Sequence, residues 1–84
     1  MIKYLFICQS LTYAQRAEKI LGRNGIPCAI VRVPERLRGE GCGYGVRVAE
    51  KYGYQTQTIL SGNGLRIRRV YGITESGDYL EVSF

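Results

Sequence analysis

The hydrophobic pattern of this chain changes period several times, and each change marks an element. Residues 3–8 (KYLFIC) run almost without polar interruption and are rich in strand formers, so they read as a strand. The period then lengthens to that of a helix over residues 12–24. Leu11, Ala14, Ala17 and Leu21 fall on one face, and the two alanines allow close approach to a sheet. Thr12 has capping-box spacing to Gln15, with Ser10 as an alternative cap. Gly25 offers a left-handed stop, and Pro27 prevents continuation.

Residues 28–33 (CAIVRV) read as a second strand, which Pro34 ends because it lacks a ladder N–H. Residues 35–43 (ERLRGEGCG) contain three glycines and read as a loop. Tyr44, Val46 and Val48 alternate in a third strand. A less regular helix is expected over 50–61. Ala49, Tyr52, Thr56 and Ile59 lie roughly on one face, Gly53 and the threonines lower its propensity, and Gly62 and Gly64 end it. Residues 65–73 read as a fourth strand whose alternation slips at Arg68-Arg69, as at a bulge or twist. A turn at 75–78 leads to a last strand, 79–84, with Leu80, Val82 and Phe84 to one side.

The order β-α-β-β-α-β plus one strand predicts an α+β fold. The expected form is a ferredoxin-like, split βαβ sandwich with an added C-terminal hairpin strand, and residues 1–84 form a single domain. In that arrangement the first strand lies between the third and fourth, with the second beyond the third. Cys8, Ser10, Thr12 and Cys42 then share one edge of the sheet. The last strand leaves an open edge, so self-association into a homo-oligomer is an expectation.

Composition narrows the functional classes. At 84 residues the chain has room for one modest core and no deep substrate cavity, which puts any chemistry on a surface loop. The net charge of +5 suits an anionic partner, and it equally serves solubility. Arg66, Arg68 and Arg69 beside Tyr71 and Tyr79 have the composition of a nucleic-acid face. Pairing with Glu75, Asp78 and Glu81 is the favoured alternative, so nucleic acid is not an expected partner. There is no histidine, which removes the Ser-His-Asp triad, the Cys-His pair and His-based zinc sites. No phosphate-loop, dinucleotide or CxxC pattern occurs, and no cofactor is expected. Three cysteines without a disulfide framework point to a reducing compartment. The first apolar run is too short for a secretory core or a membrane span, so the expected location is cytoplasmic, away from the membrane.

The candidate chemistry centres on Gly41-Cys42-Gly43. Flanking glycines remove steric cover from the thiol. Arg36, Arg38 and Arg47 are close in sequence, and positive charge favours the nucleophilic thiolate, with Glu40 opposing it. The start of the first helix, with Ser10 and Thr12, would add free N–H groups. Cys8 is the candidate second thiol, whereas Cys28 reads as a core cysteine.

The helix Ala14-Gln15-Arg16-Ala17-Glu18-Lys19-Ile20-Leu21, then Gly25-Ile26-Pro27, Val33-Pro34-Glu35-Arg36-Leu37, Gly41-Cys42-Gly43 and Val46-Arg47-Val48 together resemble a family of small bacterial proteins described as Se/S carrier protein-like. The resemblance is close over roughly half the chain and looser in the second helix and fourth strand. It implies carriage of sulfur or selenium on Cys42 as a persulfide-type species, with donor and acceptor proteins as partners. Such a protein is a carrier more than a stand-alone enzyme, and it needs a partner enzyme to load it. Arg38-Gly39-Glu40-Gly41 departs from the small hydroxyl residues of the family pattern, and the C-terminal hairpin strand is an addition to it. Two other readings stand beside the carrier: an interaction module in which Cys42 is incidental, and a soft-metal site from Cys8 and Cys42, which matches no known metal spacing.

Overall fold

The first strand, β1 (Lys3–Ile7), is apolar on both sides because it is central and covered on both faces in the computed structural model, which describes residues 1–38 and 43–84. Helix α1 (Leu11–Arg23) follows, then β2 (Cys28–Arg32), a short helical turn α2 (Glu35–Arg38) and β3 (Tyr44–Ala49). A 3-10 turn (Glu50–Tyr52) runs into α3 (Gly53–Gly62), followed by β4 (Arg69–Ile73) and β5 (Tyr79–Val82). The strands form one antiparallel sheet in the order β2-β3-β1-β4-β5. Thus β1 lies between β3 and β4, with β2 beyond β3, as the element order predicts.

The ladder register defines two ends of this sheet. Ile7 pairs with Gly45 and Arg69, and Arg32 pairs with Tyr44, so the ends of β1 and β2 meet the starts of β3 and β4. Lys3 pairs with Ala49 and Ile73 at the opposite end.

Helices α1 and α3 cover one face. Ala14, Ala17, Ile20 and Leu21 of α1 and Leu60 of α3 close over Phe6, Val46, Val48 and Val70. The helical face differs by one residue from the expected one: Leu11 is exposed and Ile20 takes its place in the core. The cap is Ser10, not Thr12. Its hydroxyl accepts from the Tyr13 N–H at 3.2 Å, with Ser10 in extended backbone. Gly25, at φ +74°, makes the expected left-handed stop. Gly53 weakens α3 in propensity but is required by packing. A Cβ there would lie 2.6 Å from the Tyr4 ring and 3.1 Å from that of Phe84.

The opposite face carries a second cluster of Leu5, Ile7, Val33 and Tyr71, joined by Leu37 of α2. Residues 35–38, expected as loop, therefore form a helical turn that folds back under the sheet. The Arg36 guanidinium reaches the Tyr79 ring on β5, 5.5 Å from its centroid. Gly45 belongs to this face, and a Cβ there would meet the Phe6 carbonyl oxygen at 2.6 Å and Leu5 Cδ1 at 3.1 Å.

Two further boundaries differ from the sequence pattern. Residues 65–68 are not strand: the Leu65 N–H donates to the Leu60 carbonyl to close α3, and Leu65 is buried there. The slip at Arg68-Arg69 is thus a strand start and not a bulge. Leu80, Val82 and Phe84 do not form one buried row. Val82 is partly covered, Leu80 is exposed, and Phe84 leaves the ladder to pack edge-on to Tyr4 and stack on Phe6 at 6.0 Å.

Two outcomes test this account. Ser10→Ala should lower unfolding free energy by about 1 kcal/mol and Thr12→Ala by much less, as read by chemical denaturation. Gly45→Ala should cost about 1–3 kcal/mol, because backbone lies in the way of the added methyl.

Candidate functional site

The end of the sheet where β1 stops is the one the β2–β3 connection returns to. The Cys8 N–H donates to the Tyr44 carbonyl at 3.1 Å, so the segment after β1 is tied to the first residue of β3. That residue stands two places beyond Cys42 in the chain. Cys42 and Gly41, the centre of the sequence-based site, lie outside the described residues.

Both flanks of residues 39–42 are held. The Val33 N–H donates to the Gly43 carbonyl at 2.7 Å, which extends the β2–β3 ladder by one bond. The Arg38 Nε donates to the Val33 carbonyl at 3.2 Å. The same guanidinium packs on Gly43, where a Cβ would lie 2.8 Å from Nε. A cation is therefore placed against the residue adjoining Cys42, and glycine at position 43 is what lets it approach.

The other sequence-based residues divide. Cys8 is at this end but 1% exposed, with its Sγ donating to the Phe6 carbonyl at 3.6 Å. Ser10 is also here, but its hydroxyl is engaged in capping α1. Thr12 is exposed on the first turn of α1. Arg36 is drawn away under the sheet to Tyr79. Arg47 is not brought to this end. It stands opposite Leu5 and Ala29, about 13 Å along β3 from Gly43, and with Lys3, Pro27, Cys28 and Ala49 it lines a cavity of about 250 Å³ at the other end.

Pattern reading passed over Arg32 and Gln9. Arg32 donates to the Tyr44 hydroxyl at 3.0 Å and lies over its ring, adding charge beside the start of β3. Its position as the last residue of a strand before Pro34 was the available signal. Among the described residues no salt bridge joins Arg66, Arg68 or Arg69 to the acidic hairpin, and the expected pairing is reduced to an electrostatic influence at Arg69. The Tyr71 side chain and, less strongly, the Glu81 charge hold the exposed Arg69 guanidinium further toward its protonated form. Glu75 and Asp78 sit in the β4–β5 turn, at the opposite end of the sheet from the start of β4. Among the described residues no group of three His, Cys, Asp or Glu side chains could hold a metal ion. Among them also, no helix is long and apolar enough to cross a membrane.

Cys28 opens β2 at the far end, half-buried against the helical face, as a core cysteine should be. Burial, and secondarily the Glu18 charge, push its thiol above the ordinary range. Its thiolate fraction near neutral pH is thus smaller than in the unfolded chain. Iodoacetamide should label Cys28 more slowly in the folded protein than in denaturant, with the difference closing only at strongly alkaline pH. Glu18→Gln should recover part of the rate and not all of it, since burial is the larger cause.

A family model described as "Putative Se/S carrier protein-like" matches residues 3–72, which is β1 through most of β4. The match includes residues 39–42 and stops before the β4–β5 turn and β5. No curated protein and no solved structure matches the chain. With 70 of its 84 residues under that model, the chain belongs to the Se/S carrier protein-like family.

Proposed function

We propose that this protein carries sulfur or selenium on Cys42 between a donor protein and an acceptor. The observation that supports it most is the fixing of both flanks of the Cys42 segment, Arg38 against Gly43 and Gly43 against Val33, within the family match. A carrier needs a thiolate that a partner can reach, and a guanidinium beside the adjoining residue favours that ionised form. The fold reading that goes with it is the ferredoxin-like sandwich, supported by β3 lying between β1 and β2 within the first β-α-β unit.

Loading is an exchange without net redox change. The Cys42 thiolate attacks the terminal sulfur of a donor persulfide. A new S–S bond forms at Cys42, the donor's S–S bond breaks, and the donor cysteine leaves as thiolate. Delivery repeats the exchange, with an acceptor nucleophile attacking the terminal sulfur and Cys42 as the leaving thiolate. Cys8 supplies a second route: its thiolate attacks Sγ of the Cys42 persulfide, giving a Cys8–Cys42 disulfide and hydrosulfide. Because Cys8 is buried, that route needs local opening, and transfer to an external acceptor is the faster one.

Incubation with a protein persulfide donor, followed by intact-mass and peptide mapping, tests the proposal. A gain of one sulfur on the Cys42 peptide is expected. Cys42→Ser should lose loading altogether, Cys28→Ser should keep it, and Cys8→Ser should load normally while releasing less hydrosulfide. Sulfur appearing on Cys28, or loading unchanged in Cys42→Ser, would overturn the proposal. Absence of loading in the wild type would favour the interaction module in which Cys42 is incidental.

A further inference from the structure

The β1 end of the sheet holds a second cationic feature that the carrier reading does not use. Gln9, Arg66 and Arg68 line a cavity of about 210 Å³. Its position is set by backbone: the Arg68 N–H donates to the Ile7 carbonyl at 3.1 Å, and Gln9 follows two residues later. Gln9 also directly precedes the Ser10 cap of α1.

Charge is unevenly distributed along the strands, with Lys3, Arg47 and Lys51 beside the acidic residues at the far end and with Glu35 in α2. Glu50, Glu75 and Asp78 lie at the far end, following β3 and joining β4 to β5. The first turn of α1 contains no acidic residue. Most other arginines already have company. Arg16, Arg32 and Arg36 lie over tyrosine rings, Arg38 bonds the Val33 carbonyl, and Arg69 is engaged by Tyr71. Among the described residues Arg66 and Arg68 have no carboxylate, ring or carbonyl partner.

Two guanidinium groups around one cavity, with no counter-charge among the described residues, repel each other, and an anion between them removes that cost. The guanidinium fork matches the paired oxygens of a tetrahedral oxyanion, and the Gln9 amide supplies a further N–H donor. The positive end of α1 beside Gln9 acts in the same direction. A second groove, lined by Arg16, Lys19, Arg23 and Asn63, has similar volume and more cations. It lies along the later turns of α1, toward the negative end of the helix, and its Arg16 is already over Tyr13.

We propose that Gln9, Arg66 and Arg68 form a binding site for a phosphate-class tetrahedral oxyanion, free or as the monoester group of a small molecule. The site is independent of Cys42, and its test reads binding alone. The full-length protein is titrated, by 15N-edited NMR, with inorganic phosphate, with glycerol phosphate, and with chloride at matched ionic strength. Saturable shifts are expected at the Gln9 side-chain amide and the Arg68 backbone amide with one or both phosphates. The tighter of the two identifies the free ion or the ester as the natural class. Arg66→Gln/Arg68→Gln should weaken the affinity by at least about tenfold, and Arg16→Gln/Lys19→Gln should leave it unchanged. These side chains are exposed, so both variants should fold. Equal shifts with chloride, an unchanged affinity in Arg66→Gln/Arg68→Gln, or shifts centred on Arg16 and Lys19 would each overturn the proposal. So would a response to a single-stranded oligonucleotide with none to either small phosphate.

Discussion

Burial of β1 on both faces is the constraint from which the rest of the structure follows. Phe6 points into the helical layer, while Leu5 and Ile7 point the other way, and all three are at most 2% exposed. Each such side chain contributes about 1.5–3 kcal/mol when fully removed from water. The long helices α1 and α3 both lie on one side, which leaves Leu5 and Ile7 to be covered by something else. Leu37 in the connection between β2 and β3 does part of this, together with Val33, Tyr71 and Tyr79.

That cover links packing to chemistry. The first part of the connection, α2, is held under the sheet by Leu37 and by the Arg36–Tyr79 contact. The connection must then return to start β3, and Val33 and Arg38 grip Gly43 as it does so. The segment bearing Cys42 is the short stretch between these two anchored points. Gly45 has a related role two residues on. It leaves room beside β1 for Leu5, so the strand that receives the returning chain can approach the central one.

Charge follows the same geometry. In an antiparallel sheet, residues distant in sequence share an end when they lie at the close of one strand and the opening of its neighbour. Arg32, Arg66 and Arg68 are gathered in this way at the end where β1 stops, and the acidic turns fall at the other. At the far end Lys3, Arg47 and Lys51 offset Glu50, Glu75 and Asp78, whereas among the described residues near the end where β1 stops the arginines outnumber the one acid, Glu35 of α2.

The local grammar of the chain was legible without the structure. Periodicity located α1, α3 and strands β1 to β5, Gly25 and Pro27 marked the end of α1, and the order of elements gave the neighbours of β1. These features depend on short-range sterics and on the burial period of a few adjacent residues, which a sequence states directly. The choice of Ser10 over Thr12 as cap, the turn at Glu35–Arg38 and the start of β4 at Arg69 did not follow from it, because each is decided by what lies across the fold. The partners of the arginines belong with them. Sequence placed Arg36, Arg38 and Arg47 together around Cys42, but Arg36 crosses to Tyr79, Arg47 faces the far end, and only Arg38 is held beside Gly43. A long cationic side chain goes where tertiary packing leaves it an acceptor or a ring, and nearness along the chain does not determine that.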